Sequence, residues 1–352
     1  MPLSYLERIT SHKASPDFTN LQTVLALGVP SRATLFEFFL NGTLYAHLSE
    51  GRYVPKADGL DGVRQLTQAF AQAGYDYVTY QPPGFGFPAG EHASNQTISL
   101  NDGAVITDRE SFERYAWIEP DTCDYSSLER IKSELPEGMS VIVPGPGGVL
   151  ENVIRLTGYD ALCFMLVDAP DVAADTFDAV GSRLVRHYEI ACQYDTVGAC
   201  ISNDDWGYKT QPMLSPADLR RYVFPWHKRI VEAIHASGRP AILHSCGNAS
   251  EIMDDVIDDM GFDGRHSYED TIQPVEEAYE QYNSRVATLG GIDVDFVIRS
   301  TPDAVYRRSR EMLERAATRG AYALGTGNSV PEYVPPEHYA AMTWAAVEQR
   351  CG

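Results

Sequence analysis

Short apolar runs alternate along most of the chain with longer segments of helical period, and turns rich in Gly, Pro and Asp separate them. After an opening of polar helical turns over residues 1–30, the runs that read as strands are 34–38, 77–80, 140–143, 198–202, 241–244, 264–268, 286–289 and 322–324. Ser215-Pro216-Ala217-Asp218 predicts the start of a long helix through Ile234, because a hydroxyl cap, a proline and an early carboxylate suit a helix N-terminus. Thr301-Pro302-Asp303 opens another that ends near Gly320, and Pro335-Pro336-Glu337 opens the last. Eight strand–helix units predict an α/β fold, a (β/α)8 TIM barrel over residues 31–352. No early strand leads into a dinucleotide glycine fingerprint, and Pro144-Gly145-Pro146-Gly147-Gly148 is an isolated glycine turn. Residues 82–126 form an insertion after the second strand, readable either as a lid or as a surface elaboration.

Composition narrows the partners. Asp and Glu total 49 against 28 Lys and Arg, a formal net charge of -21, and the lysines are Lys13, Lys56, Lys132, Lys209 and Lys228 alone. Such a surface cannot neutralise rows of phosphates, so nucleic acids and anionic membranes are excluded as expected partners. The apolar stretch around Ala161 to Val167 falls far short of the roughly 20 residues of a spanning helix. The polar first 13 residues lack the apolar centre of a secretory signal, which points to a cytoplasmic protein. Six cysteines without framework spacing read there as buried thiols or metal ligands.

In a TIM barrel the reactive groups belong at the C-terminal strand ends. The early strands deliver Glu37 and then Tyr80 with Gln81; the later ones deliver Asp204-Asp205, His244-Ser245-Cys246, Glu269-Asp270, Asp293 and Asn328. On an extended segment, residues two apart project to one side, so His244 and Cys246 can reach one metal ion, and nitrogen with sulfur favours zinc. A buried His beside a buried Cys would show the same spacing. The strand-end position, the turn at Gly247 and the carboxylate of Glu269 one unit later favour a metal site with His244, Cys246 and Glu269 as ligands. Asp204 and Asp205 can hold a polar substrate group or cap a segment, and Asp293 can face the pocket or cap the next helix. His266 reads as a partner of a metal ligand or as a satisfied core histidine. Asp205, Tyr80 and Asp293 are the candidate acid–base groups, and Glu37, Gln81, Asp204 and Asn328 the candidate substrate contacts.

The ordered set Ser-x-Asp-Asp-Trp-Gly, His-Ser-Cys-Gly-Asn, Phe-Asp-Gly-x4-Glu, Leu-Gly-Gly-Ile-Asp and Leu-Gly-Thr-Gly-Asn resembles the uroporphyrinogen decarboxylase superfamily, and within it the zinc-dependent methyltransferases that work with corrinoid proteins. The resemblance implies a TIM barrel, bound zinc, a methylcorrinoid carried by a partner protein, and a small-molecule methyl donor or acceptor. A homodimer is left open. It also implies a second cysteine ligand after the last strand, where this chain has Asn328. The arginine-rich stretch of true decarboxylases is missing: the first strand runs into Phe38-Phe39-Leu40-Asn41-Gly42. A carboxylate-rimmed pocket without guanidinium groups would repel a substrate with many carboxylates. The expected function is therefore methyl transfer; the alternative is a metal-free decarboxylase with Asp204, Asp205 or Tyr80 as acid–base groups.

Overall fold

The structure, a computed structural model, describes residues 3–90 and 100–350. Seven strands, β1 (Tyr77–Thr79), β2 (Ser140–Pro144), β3 (Val197–Asn203), β4 (Ala241–His244), β5 (Gly264–His266), β6 (Ala287–Leu289) and β7 (Tyr322–Ala323), pair in parallel in sequence order. Each falls within two residues of a predicted run. The first predicted strand, 34–38, makes only one parallel bridge, Leu35 to Leu324 beyond β7. Its other edge meets side chains instead of a backbone ladder. The Tyr77 hydroxyl accepts from the Glu37 N–H and donates to the Glu37 carbonyl, both at 2.6 Å, and the Thr79 hydroxyl donates to the Phe38 carbonyl. Segment 34–38 therefore fills the eighth position with its polar groups satisfied, and the sheet curls into a TIM-barrel-like α/β fold.

Helices including Asp61–Ala73, Val149–Thr157, Pro170–Ala191, Val275–Tyr282, Pro302–Ala316 and Pro336–Val347 surround the sheet, and Pro336–Val347 is buried on nearly every side. The helix predicted from Ser215 begins as expected, with the Ser215 hydroxyl accepting from the Asp218 N–H at 3.1 Å. It widens into a π turn over Leu219–Val223 before continuing as Phe224–Ala236. Pro225 explains the irregularity, since it has no N–H to donate back one turn. At the opposite end of the barrel from the strand C-termini, Phe18 and Leu25 pack on Gly198 and Gly264. Those side chains close that end, and the chemistry is left to the other. Helix Tyr5–Ser11 lies along the flank of helix Pro336–Val347, and the Glu337 carboxylate in the first turn of that helix accepts from the Tyr5 and Leu6 N–H groups at 2.8 and 3.0 Å.

The insertion is pinned along its 109–126 part to the flank of helix Pro170–Ala191 by ion pairs of Arg109 with Asp171 and Asp175, Glu119 with Arg183, and Asp121 with Arg186. Phe85 stacks on the buried ring of His187. This part covers the side of the barrel; residues 91–99 of the insertion lie outside the described residues. Among the described residues no helix is long and apolar enough to cross a membrane.

Candidate metal centre

Register places the site. Asn203, His244 and His266, the last residues of β3, β4 and β5, are direct neighbours across the sheet. Asp205 lies two residues beyond the first and Cys246 two beyond the second, so both continue over one edge of the mouth. The two loops run backbone against backbone: a Cβ on Gly247, whose φ is +85°, would sit 2.0 Å from the Gly207 carbonyl oxygen, so only glycine fits. Asp205 is tied in by accepting the Cys246 N–H at 2.8 Å. The result is one ligand atom each from Asp205, His244 and Cys246, all within 4.8 Å of one another. His244 Nε2 and Cys246 Sγ are 3.7 Å apart. A tetrahedral zinc with bonds of about 2.0 Å to nitrogen and about 2.3 Å to sulfur would hold such atoms about 3.5 Å apart, so the donor set fits zinc in type and spacing.

A second histidine fixes which nitrogen of His244 is offered. His266 Nε2 is 3.1 Å from the Thr326 carbonyl oxygen, which can only accept, so that nitrogen carries the proton and His266 Nδ1 is an acceptor. His244 Nδ1, 2.8 Å from His266 Nδ1, must then donate. The His244 Nε2 lone pair is left facing Cys246. Burial supports this neutral pair: it drives the His244 pKa well below its ordinary value and brings His266 down to about 4. Burial, reinforced by the Asp205 charge, pushes the Cys246 thiol up to about 12, and burial also raises the Asp205 carboxyl. Asn328 Nδ2 donates to Cys246 Sγ at 3.2 Å, while its Oδ1 accepts the Ser329 N–H at 2.7 Å, which fixes the orientation of the amide. Where the resemblance implies a second cysteine ligand, a hydrogen-bond donor to the first one stands.

Glu269, expected as the third ligand, is not in this set. β5 ends at His266, and Glu269 lies three residues on, where its carbonyl accepts from the Ile272 and Gln273 N–H groups in the turn. Its side chain lines a cavity of about 800 Å³ together with Tyr268, Asp293, Arg299, Asn328 and Lys209. Asp205, predicted as an acid–base group, supplies the carboxylate instead. Asp204 is fully buried and saturated: it accepts from the Leu150 and Glu151 N–H groups at 2.9 Å and from Trp206 Nε1 at 2.8 Å, and His227 Nε2 lies at 2.8 Å. It therefore caps helix Val149–Thr157 across the loop and, with no exposed surface, is held away from a substrate. Asp293 caps helix Val294–Arg299 through the Phe296 N–H at 3.0 Å and accepts the Asp270 N–H at 2.8 Å, so each of its oxygens holds one backbone N–H. Glu37 has no exposure and is bound by the Thr326 N–H at 3.1 Å and hydroxyl at 2.9 Å, so it is buried behind the loop that follows the last strand. Tyr80 packs against the core, and Gln81 is half-buried beside it; neither joins the metal set.

Sequence reasoning passed over Glu151. It is the third residue of the helix after the glycine turn, and its carboxylate accepts the Gly148 N–H at 3.0 Å. Burial, with the charges of Asp204 and Asp205, pushes it up to about 8, so it carries a proton at neutral pH. Its capping position was visible in Gly-Gly-Val-Leu-Glu, but its burial was not.

Residues 103–349 match the family described as uroporphyrinogen decarboxylase (URO-D). The chain is 24% identical over 217 residues to a methylated-thiol–coenzyme M methyltransferase of Methanosarcina mazei, covering 60% of this chain and 54% of that protein. It is 29% identical over 164 residues to a uroporphyrinogen decarboxylase of Chloroflexus aurantiacus, covering 45% and 43%. It thus spans about half the length of these curated relatives. A solved methyltransferase from Methanosarcina mazei superposes with a TM-score of 0.69 at 16% identity, covering 94% of this chain and 98% of that one, which shows a shared fold. With most of its length matched, and with the barrel and strand-end site in place, this chain belongs to the uroporphyrinogen decarboxylase family.

Proposed function

We propose that the chain is a zinc-dependent methyltransferase of this family, moving a methyl group between a small methyl donor or acceptor and a corrinoid protein. The observation that carries the reading is the convergence of Asp205, His244 and Cys246 with a His244 lone pair held toward the site by His266. Bound zinc would supply Lewis acidity toward a heteroatom. One thiolate and one carboxylate balance its two charges, which leaves it more electrophilic than two thiolates would and favours a methylated donor as the ligand it polarises. Asn328 draws charge from the Cys246 sulfur by donating to it, in the same direction. Glu151 holds a proton at the mouth at neutral pH, and Asn328, Glu269 and Asp293 form part of the wall of the adjoining cavity, where a substrate would sit. The methyltransferase name of the Methanosarcina mazei relative supports the reaction class. Against metal-free decarboxylation, Asp204 is fully buried and held by four partners.

The test is elemental analysis of the purified protein beside Cys246→Ser, with demethylation of methyl-donor candidates followed in the presence of a reduced corrinoid. About one zinc per chain, lost with activity in the variant, is expected. Full turnover in metal-stripped protein would overturn the reading.

A further inference from the structure

Arg265 occupies β5 one residue before His266. His266 turns into the barrel against His244 and Phe36, so Arg265 faces the other way, behind the β4 and β5 loops. It is only 4% exposed. Its Nε is buried without a hydrogen-bond partner, and no ion pair or hydrogen bond to any of its nitrogens occurs among the described residues. The ring of Tyr268 lies 4.6 Å from its guanidinium carbon. The Tyr268 hydroxyl is itself buried and unpartnered. Both residues form walls of a crevice of about 200 Å³, which also touches Asn248, Ser250, Glu269 and Glu277.

A guanidinium removed from water without a counter-charge costs several kcal/mol, and a stacked aromatic ring recovers only about 2 kcal/mol of that. Two side chains that carry orphaned donors wall one small crevice, and an acceptor with negative charge there would satisfy them. Glu269 and Glu277 do not supply it, since neither comes within ion-pair distance of Arg265, and the Glu277 side chain is exposed at the rim. Their charges at the entrance select against dianions and polyanions, while the volume suits one carboxylate or sulfonate group.

We propose that this crevice is a binding site for a small monoanionic oxyanion group, held by the Arg265 guanidinium and the Tyr268 hydroxyl. It is separate from the metal set, on the outer side of the strands, and joined to it through Ser267, which lines the crevice and whose hydroxyl donates to Cys246 Sγ at 3.7 Å. The site is inferred without reference to the reaction.

Thermal unfolding of the purified full chain is measured against acetate, methanesulfonate and inorganic phosphate at constant ionic strength, with chloride as the blank. Saturable stabilisation by acetate or methanesulfonate, and at least threefold weaker binding of phosphate at pH 8, are expected. Arg265→Gln should abolish the anion response while unfolding no earlier than the parent in chloride, because it removes an uncompensated buried charge. Tyr268→Phe should weaken the response about threefold without moving the baseline, and Glu277→Gln should strengthen it. An anion response that survives Arg265→Gln, or its absence in the parent up to 50 mM ligand, overturns the proposal. So does an Arg265→Gln protein that unfolds earlier in chloride, which assigns the arginine to packing. Tyr268→Phe and Glu277→Gln are independent checks, and anion responses unchanged from the parent in both overturn the proposal as well. None of these readouts involves zinc or turnover, so their failure leaves the methyltransferase reading standing, and the reverse holds.

Discussion

The end of β3 serves two regions that satisfy their polar groups in different ways. Outward, Asp204 sits in a closed cage: two backbone N–H groups of helix Val149–Thr157, the Trp206 indole and His227 hold its oxygens. Inward, Asp205 accepts one backbone N–H and otherwise faces His244 and Cys246, two groups that likewise keep unused lone pairs. Adjacent carboxylates of identical chemistry are thus separated by the pleat into a fastener and a candidate ligand. A saturated buried network stabilises one fold, whereas an unsaturated cluster of N, S and O donors is held open only because the framework around it is rigid.

That contrast can be broken by mutation. The largest expected effect is His244→Ala or Cys246→Ala, which should weaken zinc binding more than about 100-fold, beyond the range of outer-shell changes; competition with a chromogenic chelator measures it, and retained affinity would remove the metal set. Next, Asp204→Ala should cost about 3–5 kcal/mol in urea unfolding, because it strands buried donors including His227. Asp205→Ala should cost about 1 kcal/mol in the metal-free protein, the worth of one hydrogen bond, yet lose zinc. Equal destabilisation by the two would erase the distinction drawn here. His266→Phe keeps a ring against Phe36 but frees the His244 tautomer, and it should weaken zinc about 10–100-fold with near-parental circular dichroism. The smallest effect concerns protons. With the metal-free thiol pushed up to about 12, zinc loading at pH 7 must expel the Cys246 proton, so affinity should rise about tenfold per pH unit as pH increases. Calorimetry in buffers of different ionisation enthalpy should count about one proton released per zinc, and no release would mean that sulfur is not a ligand.

Much of the fold was legible because period and punctuation are local. The runs at 241–244 and 286–289 carry β-rich residues between turns, and Ser215, Thr301 and Pro335 announce helices by their own chemistry. The first strand was overcalled because nothing in residues 34–38 tells that Tyr77 and Thr79 would replace the ladder on one edge. Within the site, the His244–Cys246 spacing was legible for the same local reason. The third carboxylate was not: Glu269 and Asp205 both follow strand ends, and only the register of β3 with β4 and the turn after β5 bring Asp205 close and carry Glu269 to the outer cavity. The seat of Asn328 opposite Cys246 was implied by resemblance, but its role as a donor to the sulfur depends on an amide orientation fixed by Ser329.

The sequence by itself determined the alternation of strand and helix, the pairing of imidazole and thiol two residues apart, and an acidic surface with few lysines, since each depends on neighbours along the chain. Tertiary structure alone decided which of several equivalent carboxylates stays unsatisfied, which histidine nitrogen is offered, and that Arg265 is buried without a partner. Those outcomes depend on distances between strands that are remote in sequence, where burial raises the cost of every unmet charge and hydrogen bond.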